Sequence, residues 1–176
     1  MTTSRALLGP IRQTAFLVDD VEAEARRWVD VFGVGPFFVF EIDIPGATYR
    51  GELAPLGATV ALAQTGGQQI ELIQPRPNEP SIYREFLDAG GSGVHHVCYW
   101  ADIEQAIDRL EKDGCELVQD GLTAGGDRFC YLTSPIGVPY VELVDPSAGK
   151  GQMRQFFARV ADAAEDWDGA EPIRRR

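Results

Sequence analysis

Residues 70–75 (IELIQP) and residues 141–146 (VELVDP) are near copies of each other, and their first residues lie 71 positions apart. Each copy places a glutamate, Glu71 or Glu142, inside a run of aliphatic residues that predicts a strand. Side chains alternate across a strand, and an unpaired buried charge is costly. Each glutamate must therefore face solvent, a partner or a metal, and the repetition favours a shared site over an exposed sheet face.

The same order of elements precedes each of the two glutamate strands. Strands are predicted at 13–18, 37–44, 59–64 and 69–73 with a helix at 20–32, and then at 94–100, 116–119, 129–133 and 140–144 with a helix at 102–112. A short helix after Ser81 and a glycine-rich link at 90–93 separate the halves. Each half reads βαβββ, which indicates an internal duplication.

The predicted fold class is therefore α+β, with two βαβββ units at about 11–77 and 93–147 that form one domain, 11–147. Residues 148–176 are expected to form a C-terminal helix and tail. The helix at 152–167 has an apolar stripe that can pack either on the sheet or on a second subunit. A homodimer is therefore one expectation, and the stripe alone does not decide it.

Composition excludes several classes of partner. The 176 residues suit a single core, and 16 Lys and Arg against 27 Asp and Glu give a net charge of −11. We expect no nucleic-acid partner, because phosphate contacts need clustered cations, and the one basic run, 174–176, is interpreted as a terminal tail. No apolar run approaches the roughly 20 residues that span a bilayer, so no membrane partner is expected. The three cysteines are odd in number and form no Cys-x-x-Cys motif, which favours a reducing, cytoplasmic location.

The two histidines of the chain, His95 and His96, are adjacent on a predicted strand. Strict alternation would point them to opposite faces, so only one of them could serve a given site. That argues against the iron site of many oxygenases, which uses two histidines and one carboxylate. Taken alone, a single histidine of this kind is more often a hydrogen-bonded core residue.

Four residues at matching positions in the two halves form a candidate metal site. Gln13, Glu71, His96 and Glu142 offer one amide oxygen, two carboxylates and one imidazole. That set suits a divalent Co, Ni, Zn, Mn or Mg ion and leaves the identity of the metal open.

The repeated unit and the motifs GVHHVCY (93–99), IELIQP (70–75) and YVELVDP (140–146) resemble the vicinal oxygen chelate superfamily. The resemblance covers about residues 11–147 and is nearest to the glyoxalase-like branch, which includes methylmalonyl-CoA epimerase and glyoxalase I. It implies a cupped, partly closed mixed sheet with a metal inside. Glu71, His96 and Glu142 match ligand positions of that superfamily. Gln13 falls where the epimerases usually carry histidine, and its presence resembles one class of glyoxalase I.

The resemblance implies a metal-dependent epimerase or isomerase that removes a proton next to a carbonyl through a metal-bound enolate. Glu142 or Glu71 is the expected base, and the substrate is a small carbonyl compound, with an acyl-CoA as one candidate. The alternatives are a glyoxalase I-type lyase acting on a thiol–aldehyde adduct and a metal-free small-molecule binding protein of the resistance type. An extradiol dioxygenase is disfavoured, because it needs a second histidine at the site.

Overall fold

A computed structural model describes residues 8–147 and 149–176 of the chain. Its elements follow the predicted order, with three short strands added. They are β1 Gln13–Leu17, α1 Val21–Phe32, β2 Phe37–Ile44, β3 Thr48–Tyr49, β4 Glu52–Leu53, β5 Leu56–Thr65, β6 Gln68–Pro75, α2 Ile82–Asp88, β7 Val94–Trp100, α3 Ile103–Lys112, β8 Leu117–Leu122, β9 Arg128–Thr133, β10 Tyr140–Asp145, α4 Gln152–Ala164 and β11 Ile173–Arg175.

The two longer helices of the units each begin after an aspartate that caps the helix. The Asp20 carboxylate accepts from the backbone N–H groups of Glu22 and Ala23, and α1 ends at Gly33 in the left-handed region. The Asp102 carboxylate accepts from the backbone N–H of Gln105 at the start of α3. These caps fix where each helix leaves the strand before it.

The strands of the described residues belong to one sheet, in the order β11-β2-β5-β6-β1-β7-β10-β9-β8-β3-β4. The two predicted units are the blocks β2-β5-β6-β1 and β7-β10-β9-β8, which meet where β1 pairs antiparallel with β7. In each block the first strand pairs parallel with the last, β1 with β6 and β7 with β10. The predicted α+β fold with two βαβββ units is confirmed.

The sheet curls into a cup that β3 helps to close. β3 follows β2 at one edge of the first unit, yet it pairs antiparallel with β8 at the far edge of the second unit. Inside the cup, side chains of both units form one apolar cluster, which includes Leu56, Val60 and Ile73 from the first unit and Val118, Phe129 and Val144 from the second. Helices α1 and α3 pack on the other side, against separate clusters.

The segment after the two units folds back onto the sheet. Phe156, Phe157 and Val160 of α4 are buried against Leu62 of β5, so the stripe covers the sheet of its own chain. The run at 174–176, interpreted from the sequence as a tail, instead contributes to β11, which pairs parallel with β2. Ala148, at the predicted start of this segment, lies outside the described residues. The homodimer stays a prediction.

Among the described residues, no helix combines the length and apolar character needed to cross a membrane. The three cysteines, Cys98, Cys115 and Cys130, are buried and free.

Candidate metal centre

Three of the four predicted ligands meet where the two units join. Glu71 of β6 and His96 of β7 both pair with Ala15 of β1, so they share one row across the sheet. Glu142 of β10 lies in the next row, opposite Cys98. The Nε2 atom of His96 is 3.3 Å from an oxygen of Glu71 and 3.4 Å from an oxygen of Glu142. The ligand atoms of all three residues lie within 4.8 Å of one another.

These contacts fit an ion better than they fit direct hydrogen bonds. The side chain of His96 is completely buried, and its Nε2 atom has no hydrogen-bond partner among the described residues. Both carboxylate contacts exceed the roughly 2.7–2.9 Å of a charge-assisted hydrogen bond. Two ligand atoms at about 2.1 Å from a tetrahedral ion would lie roughly 3.4 Å apart. One imidazole and two carboxylates at these separations fit a divalent ion.

The charges of this cluster shift the pKa values of His96 and Glu71. Burial alone would lower the pKa of His96, but the carboxylates of Glu142 and Glu71 outweigh burial and raise that pKa to about 9. Burial raises the pKa of Glu71, and the charge of Glu142 adds to the rise while His96 opposes it. Two carboxylates thus lie close together beside one buried ring, and a cation between them would offset their mutual repulsion.

Gln13 lies on the same inward face, in the row that contains Cys98 and Glu142. Its side-chain N–H donates to the Oε1 atom of Gln69 at 2.9 Å, which leaves its own Oε1 atom as the acceptor. Gln13 lines the same cavity as Glu71 and Glu142. Its amide oxygen as a fourth ligand stays a prediction.

The prediction that His95 points away from His96 is wrong. The Nδ1 atoms of the two rings are 2.9 Å apart, and both side chains are completely buried. The cause is a β-bulge: Ala15 pairs with His96 but Phe16 pairs with Val94, so His95 is an extra residue in β7 and alternation fails there. The ring of His95 packs among three aromatic residues, Tyr83, Phe86 and Tyr140.

This hydrogen bond assigns a tautomer to the candidate ligand. Burial, and then the charge of His96, holds the pKa of His95 well below its usual range, so His95 is neutral. If Nε2 of His96 faces an ion, its Nδ1–H must donate to the Nδ1 atom of His95. His95 therefore orients His96 rather than serving as a second ligand.

Two tyrosines complete the inner wall. Tyr131 of β9 lies opposite Glu142, and its ring centroid is 5.1 Å from that of His96. Its hydroxyl is 3.0 Å from the hydroxyl of Tyr83, which comes from α2. Burial raises the pKa of both phenols well above the usual value, so both stay protonated donors. No pattern in the sequence pointed to Tyr83, because α2 lies in the link between the units.

The carboxylates open into a cavity of about 610 Å³. Its walls are mostly apolar and include Phe40, Leu62, Met153 and Phe156, so α4 forms part of the wall. The space is large enough for a small organic ligand or for the reactive end of a larger one.

Comparison with known proteins agrees with this architecture. The profile of the glyoxalase/bleomycin resistance protein/dioxygenase superfamily matches residues 12–131, which is more than half of the chain. The chain belongs to this superfamily. The resemblance inferred from the repeated motifs is thereby confirmed.

Proteins similar to this chain include epimerases. The chain is 29% identical over 117 residues to an ethylmalonyl-CoA/methylmalonyl-CoA epimerase of Cereibacter sphaeroides, covering 65% of this chain and 78% of that protein. Methylmalonyl-CoA epimerase from Mycobacterium tuberculosis has the same fold, with a TM-score of 0.57 at 20% identity over 84% of this chain and 93% of that one. A Streptomyces coelicolor methylmalonyl-CoA epimerase variant in complex with 2-nitronate-propionyl-CoA gives a TM-score of 0.53 at 19% identity, over 81% and 97% of the two chains.

The chain also extends past the part that matches the superfamily. The profile match ends at Tyr131, so β10 with Glu142, α4 and β11 all lie beyond it. Helix α4 and the end of the chain contribute Met153, Phe156 and Arg176 to the cavity wall. Part of the cavity is therefore built from residues that follow the two units.

Proposed function

We propose that this protein is a metal-dependent epimerase that inverts a carbon next to a carbonyl, with an acyl-CoA as its substrate. The observation that carries the proposal is the convergence of Glu71, His96 and Glu142 at the inner end of the cavity. The relative named as an ethylmalonyl-CoA/methylmalonyl-CoA epimerase supports this reaction and this substrate class.

The candidate ligands are Glu71, His96 and Glu142, with Gln13 as a fourth. A divalent ion held there would polarise the substrate carbonyl and make the neighbouring C–H more acidic. Cobalt, nickel, zinc, manganese and magnesium all suit this mixed set, so availability would select among them.

The two glutamates supply the proton chemistry. In the strand order, Glu71 on β6 and Glu142 on β10 lie on opposite sides of His96 on β7. One carboxylate can remove the proton from one face of the substrate carbon, and the other can return a proton to the opposite face, which inverts that carbon. Either residue is the candidate base.

The surrounding residues hold the substrate and exclude water. Tyr83 and Tyr131 line the same cavity, and their hydroxyls share one hydrogen bond, which leaves the O–H of one of them to donate to a substrate oxygen. The apolar wall, with Leu62 and Phe156, lowers the local dielectric and so strengthens each charge interaction near the carboxylates.

The test is proton exchange at the carbon next to the thioester of methylmalonyl-CoA in D₂O, followed by NMR. We expect exchange in the wild type, a loss of roughly 10²-fold or more in Glu71→Gln and in Glu142→Gln, and a loss on chelation. Glu41→Gln is the matched control, because Glu41 lines the same cavity but belongs to β2. Exchange that survives chelation and both substitutions would contradict the proposal.

One observation favours a second function. Gln13, in place of histidine, gives the order Gln, Glu, His, Glu, which supports a glyoxalase I-type lyase. Methylglyoxal incubated with glutathione or another thiol should then yield a thioester, detected by its absorbance. The third candidate, a metal-free binding protein, predicts ligand binding with neither metal content nor turnover, so measuring metal content separates it from both enzymes.

A further inference from the structure

The basic run at 174–176 adjoins the cavity, because Arg176 is one of the residues that line it. Because β11 pairs with β2, alternation turns Arg174 and Arg176 to one face of the sheet and Arg175 to the other. Arg175 forms an ion pair with Glu22 of α1. The guanidinium of Arg174 lies 5.7 Å from the ring centroid of Phe38, and that of Arg176 lies 4.6 Å from the ring centroid of Phe156.

A third arginine joins the same aromatic pair. The guanidinium of Arg159, on α4, lies 5.6 Å from the ring centroid of Phe156. Phe156 meets Phe38 edge to face, with their centroids 6.0 Å apart. Three cations therefore surround two rings that hold them in place.

These three arginines differ from most others in a chain of net charge −11. Arg50 is paired with Glu85, Arg76 with Asp43, and Arg128 with Asp120. Within residues 8–147 and 149–176, no carboxylate side chain forms an ion pair with Arg159, Arg174 or Arg176. The positive potential of this cluster is thus available to an external anion.

Two acidic groups on β2 that line the cavity are already engaged. Asp43 accepts from Arg76 at 2.9 Å, and Glu41 accepts from the hydroxyl of Thr59 at 2.7 Å. These two carboxylates reduce the positive potential near the arginine cluster, but they form no ion pair with its three guanidinium groups.

The cluster lies at a defined distance from the metal centre. Arg174, Phe38, Leu62 and Glu71 stand in one row across the sheet, on β11, β2, β5 and β6. Three strand spacings of about 4.8 Å place Arg174 ~14 Å from Glu71 along the sheet. Arg176 lines the same cavity as Glu71 and Glu142, so one ligand can reach both ends.

We propose that Arg159, Arg174 and Arg176 form a phosphate-binding subsite for the nucleotide end of an acyl-CoA whose thioester reaches the metal centre. Guanidinium groups bind phosphate oxygens through paired N–H donors, and this cluster presents three of them. The separation along the row suits a ligand with its anionic and reactive ends joined by a long flexible arm, such as pantetheine. The assignment rests on the proposed function for the identity of the ligand.

The test is calorimetric titration of the full chain with acetyl-CoA and with phosphate-free S-acetylpantetheine. We expect the double variant Arg174→Gln/Arg176→Gln to lose about tenfold or more in acetyl-CoA affinity and to bind acetylpantetheine as the wild type does. Arg175→Gln is the control: it removes one positive charge from the same basic run, on the opposite face of the sheet, where Arg175 pairs with Glu22. Equal acetyl-CoA affinity in all three proteins would overturn the subsite.

A second measurement needs no substitution and guards against misfolding of the edge strand. Wild-type affinity for acetyl-CoA should fall as salt rises, while that for acetylpantetheine should not, because only the former has phosphates to be screened. A wild type that binds both equally at every salt concentration also overturns the subsite. If acetyl-CoA binding depends on the arginines but methylmalonyl-CoA shows no proton exchange, the subsite is supported and the epimerase is not. If proton exchange occurs but acetyl-CoA binding does not depend on the arginines, the epimerase is supported and the subsite is not.

Discussion

The ring of His96 is oriented by its neighbour along the chain. The Nδ1 atoms of His95 and His96 are 2.9 Å apart, and His95 lies in an aromatic box that fixes its ring. Outer residues of this kind hold a ligand in the tautomer and direction that an ion requires.

We therefore expect His95→Phe, which fills the box but removes the acceptor, to weaken divalent metal binding by roughly 10–100-fold. Titration with Co²⁺ or Zn²⁺, followed by calorimetry, measures this. Tyr99→Phe is the control, because Tyr99 lies on the same strand but packs with the cluster around α3. An unchanged affinity in a folded His95→Phe protein would show that His95 only packs.

His95 and His96 also show how far the sequence predicts the positions of single residues. The residue types at 71, 96 and 142 were enough to select the three groups that meet, since a charge repeated within apolar strands needs a common partner. The direction of His95 was not predictable, because the bulge depends on how Ala15 and Phe16 pair with β7. That register is a property of two strands, not of the HH motif.

Helix α2 is tied to both units through Glu85. Its carboxylate accepts from the hydroxyl of Tyr140 at 2.7 Å, from Arg50 at 2.7 Å and from the hydroxyl of Tyr49. Burial alone would raise the pKa of Glu85, but these hydrogen bonds outweigh it and lower that pKa below its ordinary value of 4.5. The link between the units is therefore held by an ionised carboxylate.

Since the folded state lowers this pKa, the stabilisation is complete above the unfolded value and is lost as pH falls through the folded one. We expect Glu85→Gln to be less stable than the wild type at pH 7 in urea unfolding, and the difference to shrink below about pH 4.5. Glu52→Gln, on the short strand β4, is an exposed control. A difference that does not vary with pH would mean that the charge of Glu85 contributes nothing.

Helix α4 packs against the concave face of the sheet. Phe156 is buried and contacts Phe38 and Phe40 edge to face. We expect Phe156→Ala to lower the free energy of unfolding by about 3–5 kcal/mol, because the lost side chain leaves a cavity. Urea unfolding measures the change, and Gln155→Ala, one position away on the exposed side, should cost little. A loss equal to that of Gln155→Ala would indicate that α4 does not stay docked.

The apolar spacing at Met153, Phe156, Phe157 and Val160 predicted that this face of α4 is covered, and three of these residues are buried. The spacing did not predict which surface covers the helix, because an apolar stripe of this kind can pack equally well on a sheet or on a second subunit. The same limit applies to β11: three residues carry too little pattern to predict a strand, and their partner, β2, lies more than 130 positions earlier.

At the scale of the whole molecule, the candidate metal site joins the two units. Glu71 belongs to the first unit, whereas His96 and Glu142 belong to the second, and the boundary between the units is the β1–β7 pair. An ion bound there would contact both halves of the duplication at once. Its binding energy would therefore oppose unfolding of either half.

We expect a divalent ion at a hundred times its dissociation constant to stabilise the protein by about 2.7 kcal/mol, which raises the thermal midpoint by roughly 5–10 °C. Calorimetric scans with and without chelator measure the shift, separately for each of the candidate metals. Surface carboxylates of a chain with net charge −11 could also bind cations, so variants must separate the two effects.

His96→Ala and Glu142→Gln each remove one ligand and should abolish most of the shift, whereas Glu41→Gln removes a carboxylate of the same cavity and should keep it. A shift that persists in both ligand variants would place the stabilising ion on the surface, away from the junction. A shift that disappears in them would mean that the two halves of the cup are held together by the same three residues that are proposed to carry the chemistry.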